Sequence, residues 1–183
     1  LFSDKGELRG RVAHLDGRPT LSESFWDNGR LMEQREIGKG GSVERSFSRE
    51  GVKRRETRWL TVERGRSKEL EQEFHESGPL VRERRWQAGE LAAEKTWYLN
   101  GQLQSDYRYA KSDGAAVCDV TEYYDNGRKR REGRFTLSYG YLDRPMGPVR
   151  SFDTEGRLRR EVEYDARGRL KREREFDEQG TVV

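Results

Sequence analysis

Aromatic and aliphatic residues fall along this chain at fixed distances from glycine. Around Gly6, Gly29, Gly51, Gly78, Gly101, Gly127, Gly156, Gly168 and Gly180 the residue four places earlier is aromatic in all nine cases: Phe2, Phe25, Phe47, Phe74, Trp97, Tyr123, Phe152, Tyr164 and Phe176. Two places after glycine comes an aliphatic residue or a lysine, as at Leu31, Lys53, Leu103, Lys129 and Leu170. Eight places after it comes a second anchor: His14, Ile37, Trp59, Trp86, Tyr109, Phe135, Tyr164 and Phe176. The distance from first to second anchor is always 12, whereas the distance onward to the next frame runs from 10 (Ile37 to Phe47) to 17 (Phe135 to Phe152). One fixed and one elastic connection is the signature of hairpins with a tight turn at one end and longer loops at the other.

Parity selects the turn. The aromatic before glycine and the residue two after it face each other only across a three-residue loop, such as Asp125-Asn126-Gly127 with glycine left-handed, which sets Tyr123 opposite Lys129. In the last full copy a loop at Ala166-Arg167-Gly168 sets Tyr164 opposite Leu170 and Leu158 opposite Phe176. Regular alternation then gives Asp165–Arg169, Glu163–Lys171 and Arg159–Glu175, with Glu161–Glu173 as a clash. A helix over this Arg-, Glu- and Leu-rich stretch is the rival reading. Glycine and aromatic spacings of 12 residues speak against it. The expected fold is all-β: one domain over residues 1–183, a long antiparallel meander of hairpins in a twisted, curled sheet. One face would carry the aromatic and leucine ladder and the other the charges.

Composition sharpens this picture. Charged residues make up 39% and hydrophobic ones 31%, so little apolar surface is available to offset chain entropy, yet aromatics reach 10%, which argues for a folded but thin-cored chain. The 37 Lys and Arg are interleaved with 34 Asp and Glu, so no basic arm exists and nucleic-acid binding is not expected. Arginine predominates among the cations, which suits bidentate pairing with carboxylates. Cys118 is the only cysteine, which rules out an internal disulfide or a cysteine-based metal site. Leu1 rather than methionine opens the chain, as a processed or omitted leader would leave it; membrane association is expected only through such a leader or a lipid anchor.

"EYYDNGRKRREGRF" (122–135), "SFWDNGRLMEQREI" (24–37) and "TWYLNGQLQSDYRY" (96–109) resemble MORN-variant repeats, whose pattern is aromatic-aromatic-x-Asn-Gly-x-Leu followed by charges and an aromatic. Asn28-Gly29, Asn100-Gly101 and Asn126-Gly127 carry the dipeptide outright; the other frames have Lys5, Glu50, Ser77, Glu155, Arg167 and Gln179 before glycine. Residues 152–180 also look like the tyrosine-aspartate repeats of bacterial Rhs proteins. The resemblance covers nearly the whole chain. It implies a bacterial β-repeat protein similar to antitoxins and to immunity proteins that neutralise type VI secretion effectors by binding them. The implied location is the periplasm, with the cytoplasm as alternative.

Candidate chemistry is sparse. His14 occupies an anchor and His75 follows one, positions suited to packing rather than ligation, and no metal or cofactor site is expected. "GKGGS" (38–42) lacks a P-loop ending and reads as a loop; Cys118 has no histidine near it in sequence. The chain reads as a non-enzyme. For partner binding, the longest connection, Thr136 to Arg150, offers Tyr139, Tyr141, Asp143, Arg144 and Met146, and tyrosine, arginine and methionine are enriched at interface centres. Phe25, Phe47, Trp59, Phe74, Trp86, Trp97, Tyr109, Tyr123, Phe135, Phe152, Tyr164 and Phe176 are read as structural anchors. Binding of single-stranded nucleic acid or of an anionic membrane, or an envelope scaffold role, are the alternatives to toxin binding.

Overall fold

Seven of the nine glycine frames join successive strands in the computed structural model, and those of Gly6 and Gly180 close isolated bridges; the structure describes residues 1–183 and contains strands but no helix. The first seven strands are β1 (Gly10–Leu15), β2 (Arg18–Phe25), β3 (Leu31–Gly38), β4 (Gly41–Phe47), β5 (Lys53–Val62), β6 (Gly65–Phe74) and β7 (Leu80–Gln87). The next seven are β8 (Glu90–Trp97), β9 (Leu103–Ser112), β10 (Ala115–Tyr123), β11 (Lys129–Ser138), β12 (Tyr141–Phe152), β13 (Leu158–Tyr164) and β14 (Leu170–Glu175). They form one open antiparallel sheet in chain order, the expected meander; the helical alternative over 157–176 is wrong. Two compact units make up the chain, Leu1–Leu91 and Ala92–Val183.

The predicted pair across each turn is present in all nine frames, from Phe2–Leu8 through Tyr123–Lys129 to Phe176–Val182. Glycine is left-handed at each, as at Gly29 (φ 78°) and Gly127 (φ 81°). Beyond that pair the regular register fails. In seven hairpins the next residue, three after glycine, is an extra residue with no partner: Met32, Arg54, Val81, Gln104, Arg130, Arg159 and Lys171. Each is a β-bulge, and it changes the parity of everything that follows. Phe135 pairs with Cys118, an odd number of residues from Tyr123, so the second anchor lies on the opposite face from the first. Trp59 follows the same rule, pairing with Ser42, an odd number of residues from Phe47. The expected single aromatic face is thus corrected to two, each mixed with charge.

The bulge also explains the last hairpin. Lys171 is the extra residue, so Glu163 meets Arg172, Arg160 meets Glu175, and Glu161 meets Arg174 in place of Glu173. The expected clash disappears: Glu161 is held between Arg174 and Arg150 (2.7 Å), and Glu173 takes Arg160 (2.5 Å). Of the regular register Tyr164–Leu170 and the Asp165–Arg169 ion pair (2.8 Å) stand, whereas the expected Leu158–Phe176 pair is not formed, Phe176 N–H donating to Arg159 O (2.9 Å) instead.

Residues with little exposure occur back to back along single strands, Glu56 beside Thr57 in β5 and Val117 beside Cys118 in β10, although no second layer exists. Successive residues point to opposite faces, so both faces are covered locally, by long side chains of the same strand and of its neighbours. Glu56 shows how: Arg45 (3.2 Å), Lys53 (3.1 Å) and Arg58 (3.1 Å) converge on its carboxylate. A thin-cored sheet of this composition is held by a lattice of ion pairs whose aliphatic stems do the covering.

Two turn chemistries occur along the glycine ends. Where asparagine precedes glycine, its Oδ1 accepts the N–H two residues on (Arg30 3.1 Å, Gln102 3.0 Å, Arg128 3.0 Å). Its Nδ2 reaches the neighbouring turn and donates to Arg49 O, Asp125 O or Thr154 O, each at 2.8 Å. The aromatic three before glycine adds a parallel bond: Trp26 to Phe47 O (3.2 Å), Tyr98 to Tyr123 O (2.8 Å), Tyr124 to Phe152 O (2.8 Å). In the other six frames that position is Ser3, Ser48, His75, Asp153, Asp165 or Asp177, which accepts turn N–H groups locally. The Asn-Gly turns therefore clamp one hairpin to the next, whereas the others only close themselves.

Candidate protein-binding surface

The expected loop from Thr136 to Arg150 does not exist. β11 and β12 pair almost throughout this stretch and are joined by a two-residue turn, Tyr139-Gly140, with Ser138 opposite Tyr141. Pro145, Gly147 and Pro148 look like strand breakers in the sequence, but the β11–β12 ladder shifts register twice around them, and bulges are where proline is tolerated inside a sheet. The surplus length is stored in bulges rather than in a loop.

At the tip, Tyr139 (φ 51°) and Gly140 (φ 84°) are both left-handed. Two left-handed residues match the turn that best suits strand twist, and three other ends share it: Asp16-Gly17, Ala88-Gly89 and Asp113-Gly114. Aspartate tolerates this conformation; a tyrosine there is an outlier, since a bulky side chain crowds the backbone. Nothing in the fold repays it, because the Tyr139 side chain is 99% exposed. Tyr141 beside it is 78% exposed.

Below the tip the chain is firmly held. Arg144 N–H donates to Thr136 Oγ1 (3.1 Å), and the Arg144 guanidinium pairs with Asp143 (3.3 Å). The Arg144 stem lies over the β13–β14 turn, with its Cβ 2.9 Å from where a side chain at Gly168 would begin. Met146 is half-buried and opposite Arg134, whose guanidinium grips Asp119 through two bonds (2.6 and 2.8 Å). Arg134 beside Asp119 holds that carboxyl below the usual aspartate range. Tyr139, Tyr141, Asp143 and Arg144 therefore share one hairpin tip, while Met146 sits further along it in an open groove with Gly133, Pro148 and Arg150. A scan against protein-family models finds no match, and no curated protein matches the chain.

The remaining candidates lie on other strands and turns. Cys118 has no exposed surface, and burial pushes its thiol up to about 11. His14 is exposed opposite Pro19; His75 Nδ1 accepts the Ser77 N–H (3.2 Å) inside its turn. The glycines of "GKGGS" make the β3–β4 turn, where a Cβ on Gly41 would fall 1.9 Å from Trp59 O. Sequence reasoning missed the second series of tight turns. The X-Gly pairs at 16–17, 88–89, 113–114 and 139–140 were the available signal.

Proposed function

We propose that the protein is a non-enzymatic binding protein of the immunity or antitoxin type, which neutralises a cognate antibacterial toxin in the bacterial periplasm by covering its active site with the β11–β12 hairpin tip. The observation that carries this reading is Tyr139. A large aromatic is kept in a strained left-handed position and projected fully into solvent, where the small residues aspartate and alanine serve at equivalent ends of the sheet. Strain that packing does not account for points to function. Tyr141 and Arg144 beside it supply residue types that dominate interface energetics, on a backbone already rigid before binding. The resemblance to MORN-variant repeats supplies the toxin as the class of partner.

The test is affinity for a toxin captured by co-purification from the native host, for the wild type and for Tyr139→Asn and Tyr141→Ser. Each variant is expected to weaken binding at least about tenfold. Unchanged affinity in both, with the fold intact, overturns the assignment of this surface.

Single-stranded nucleic acid is favoured by one feature, the Trp59–Lys68–Trp86 alternation, with ammonium to ring distances of 5.5 and 4.7 Å. Arg66 lies a further 4.2 Å from the Trp59 ring. Cations already occupy the ring that a base would need, so stacking must displace them. A gel shift at low salt that shows no complex ends this second reading.

A further inference from the structure

The three Asn-Gly turns combine a reactive dipeptide with a geometry that restrains it. In such a pair the glycine amide nitrogen attacks Asn Cγ; the new N–Cγ bond closes a succinimide, the Cγ–Nδ2 bond breaks, and ammonia leaves carrying the proton lost by the amide. Water then opens the ring to aspartate or isoaspartate. Both reacting groups are engaged in this fold. Gly29 N–H donates to Trp26 O (3.0 Å), Gly101 N–H to Tyr98 O (2.9 Å) and Gly127 N–H to Tyr124 O (2.9 Å), so each nucleophile is tied into its own turn. Each asparagine amide is fixed at both ends, by the N–H it accepts and by the neighbouring carbonyl it donates to.

We propose that Asn28, Asn100 and Asn126 are latent deamidation sites gated by these clamps, and that loss of ammonia at any of them unlinks two neighbouring hairpins. The amide nitrogen that leaves is the one that donates to the next turn. Its aspartate product sets an acceptor-only carboxylate against the carbonyl of Arg49, Asp125 or Thr154, and isoaspartate lengthens the backbone of a three-residue loop. None of the other six frames has asparagine before glycine, so the chemistry is confined to positions that join hairpins. Reaction requires the turn to open first, which makes its rate a local measure of clamp stability.

The test follows conversion of each amide to acid by peptide mass spectrometry at mildly alkaline pH, in folded protein and in protein unfolded with guanidinium. All three sites are expected to react at least about tenfold more slowly when folded, a factor equivalent to about 1.4 kcal/mol of opening free energy. Tyr98→Phe removes the bond to Tyr123 O from the same clamp; it is expected to speed reaction at Asn100 severalfold and to leave Asn28, in the other unit, unchanged. Equal rates in folded and unfolded protein overturn the proposal without recourse to any variant, and so does a folded Tyr98→Phe protein in which Asn100 reacts no faster.

Discussion

Tyr139 and the turn glycines occupy the same left-handed region of backbone space for different reasons. Glycine is there because the three-residue loop needs it, and surroundings grade the cost of replacing it. Gly101 (φ 83°) has nothing within 4 Å of an added Cβ, whereas at Gly127 (φ 81°) the Gln102 Oε1 lies 2.8 Å away. Gly101→Ala is expected to cost about 1 kcal/mol of backbone strain, and Gly127→Ala more, because Gln102 must also move. Urea unfolding of the two variants checks the order. Tyr139 is the opposite case. Tyr139→Asn is expected to raise stability by about 0.5 to 1 kcal/mol, since asparagine suits the turn and no packing is lost, while weakening partner binding. A destabilised Tyr139→Asn protein would show that the side chain has a structural role.

At the scale of elements, the bulge decides how the repeat is built. An extra residue three after glycine lets the turn pair and the second anchor sit on opposite faces without breaking the ladder between them. A deletion therefore has very different consequences at different places. Removing Arg130 leaves the pairs from Glu122–Arg131 to Val117–Thr136 intact and is expected to cost no more than about 1 to 2 kcal/mol. Removing Thr121, in the middle of β10, moves every residue on one side of the deletion to the wrong face against both β9 and β11 and is expected to abolish cooperative unfolding. Thermal melts of the two deletions make the comparison. Bulge positions hold Met, Arg, Val, Gln and Lys, with no residue type in common, which is why the sequence shows no trace of them.

At the scale of the whole molecule, charge pairing takes over what a core would otherwise do, and it sets the response to acid. Hydrogen bonds from Arg11 to Glu23, Arg134 to Asp119, Lys129 to Glu132, and Arg150 and Arg174 to Glu161 hold these carboxyls below their ordinary ranges. A carboxyl with a lower value folded than unfolded stabilises the fold above its unfolded value, and the contribution is lost as pH falls through the folded one. Stability is expected to be steady above about pH 5 and to fall steeply below about pH 4, in both units. The check is urea unfolding at a series of pH values; a flat profile down to pH 3 would show that the ion-pair lattice contributes little.

The sequence by itself determined the antiparallel meander and its three-residue turns, because glycine and aromatic spacing act within a dozen residues and need no distant partner. It offered Tyr139, Tyr141, Asp143, Arg144 and Met146 as partner-binding candidates on a loop, and the structure puts them on a hairpin. Only the tertiary structure decided which face each anchor takes, that residues 136–150 are bulged strand, and that Asn28, Asn100 and Asn126 reach across to neighbouring turns. The clamps depend on one hairpin lying beside another, 21 to 28 residues away along the chain, and the anchor faces on a choice between a regular ladder and a bulged one inside each hairpin that no residue type marks.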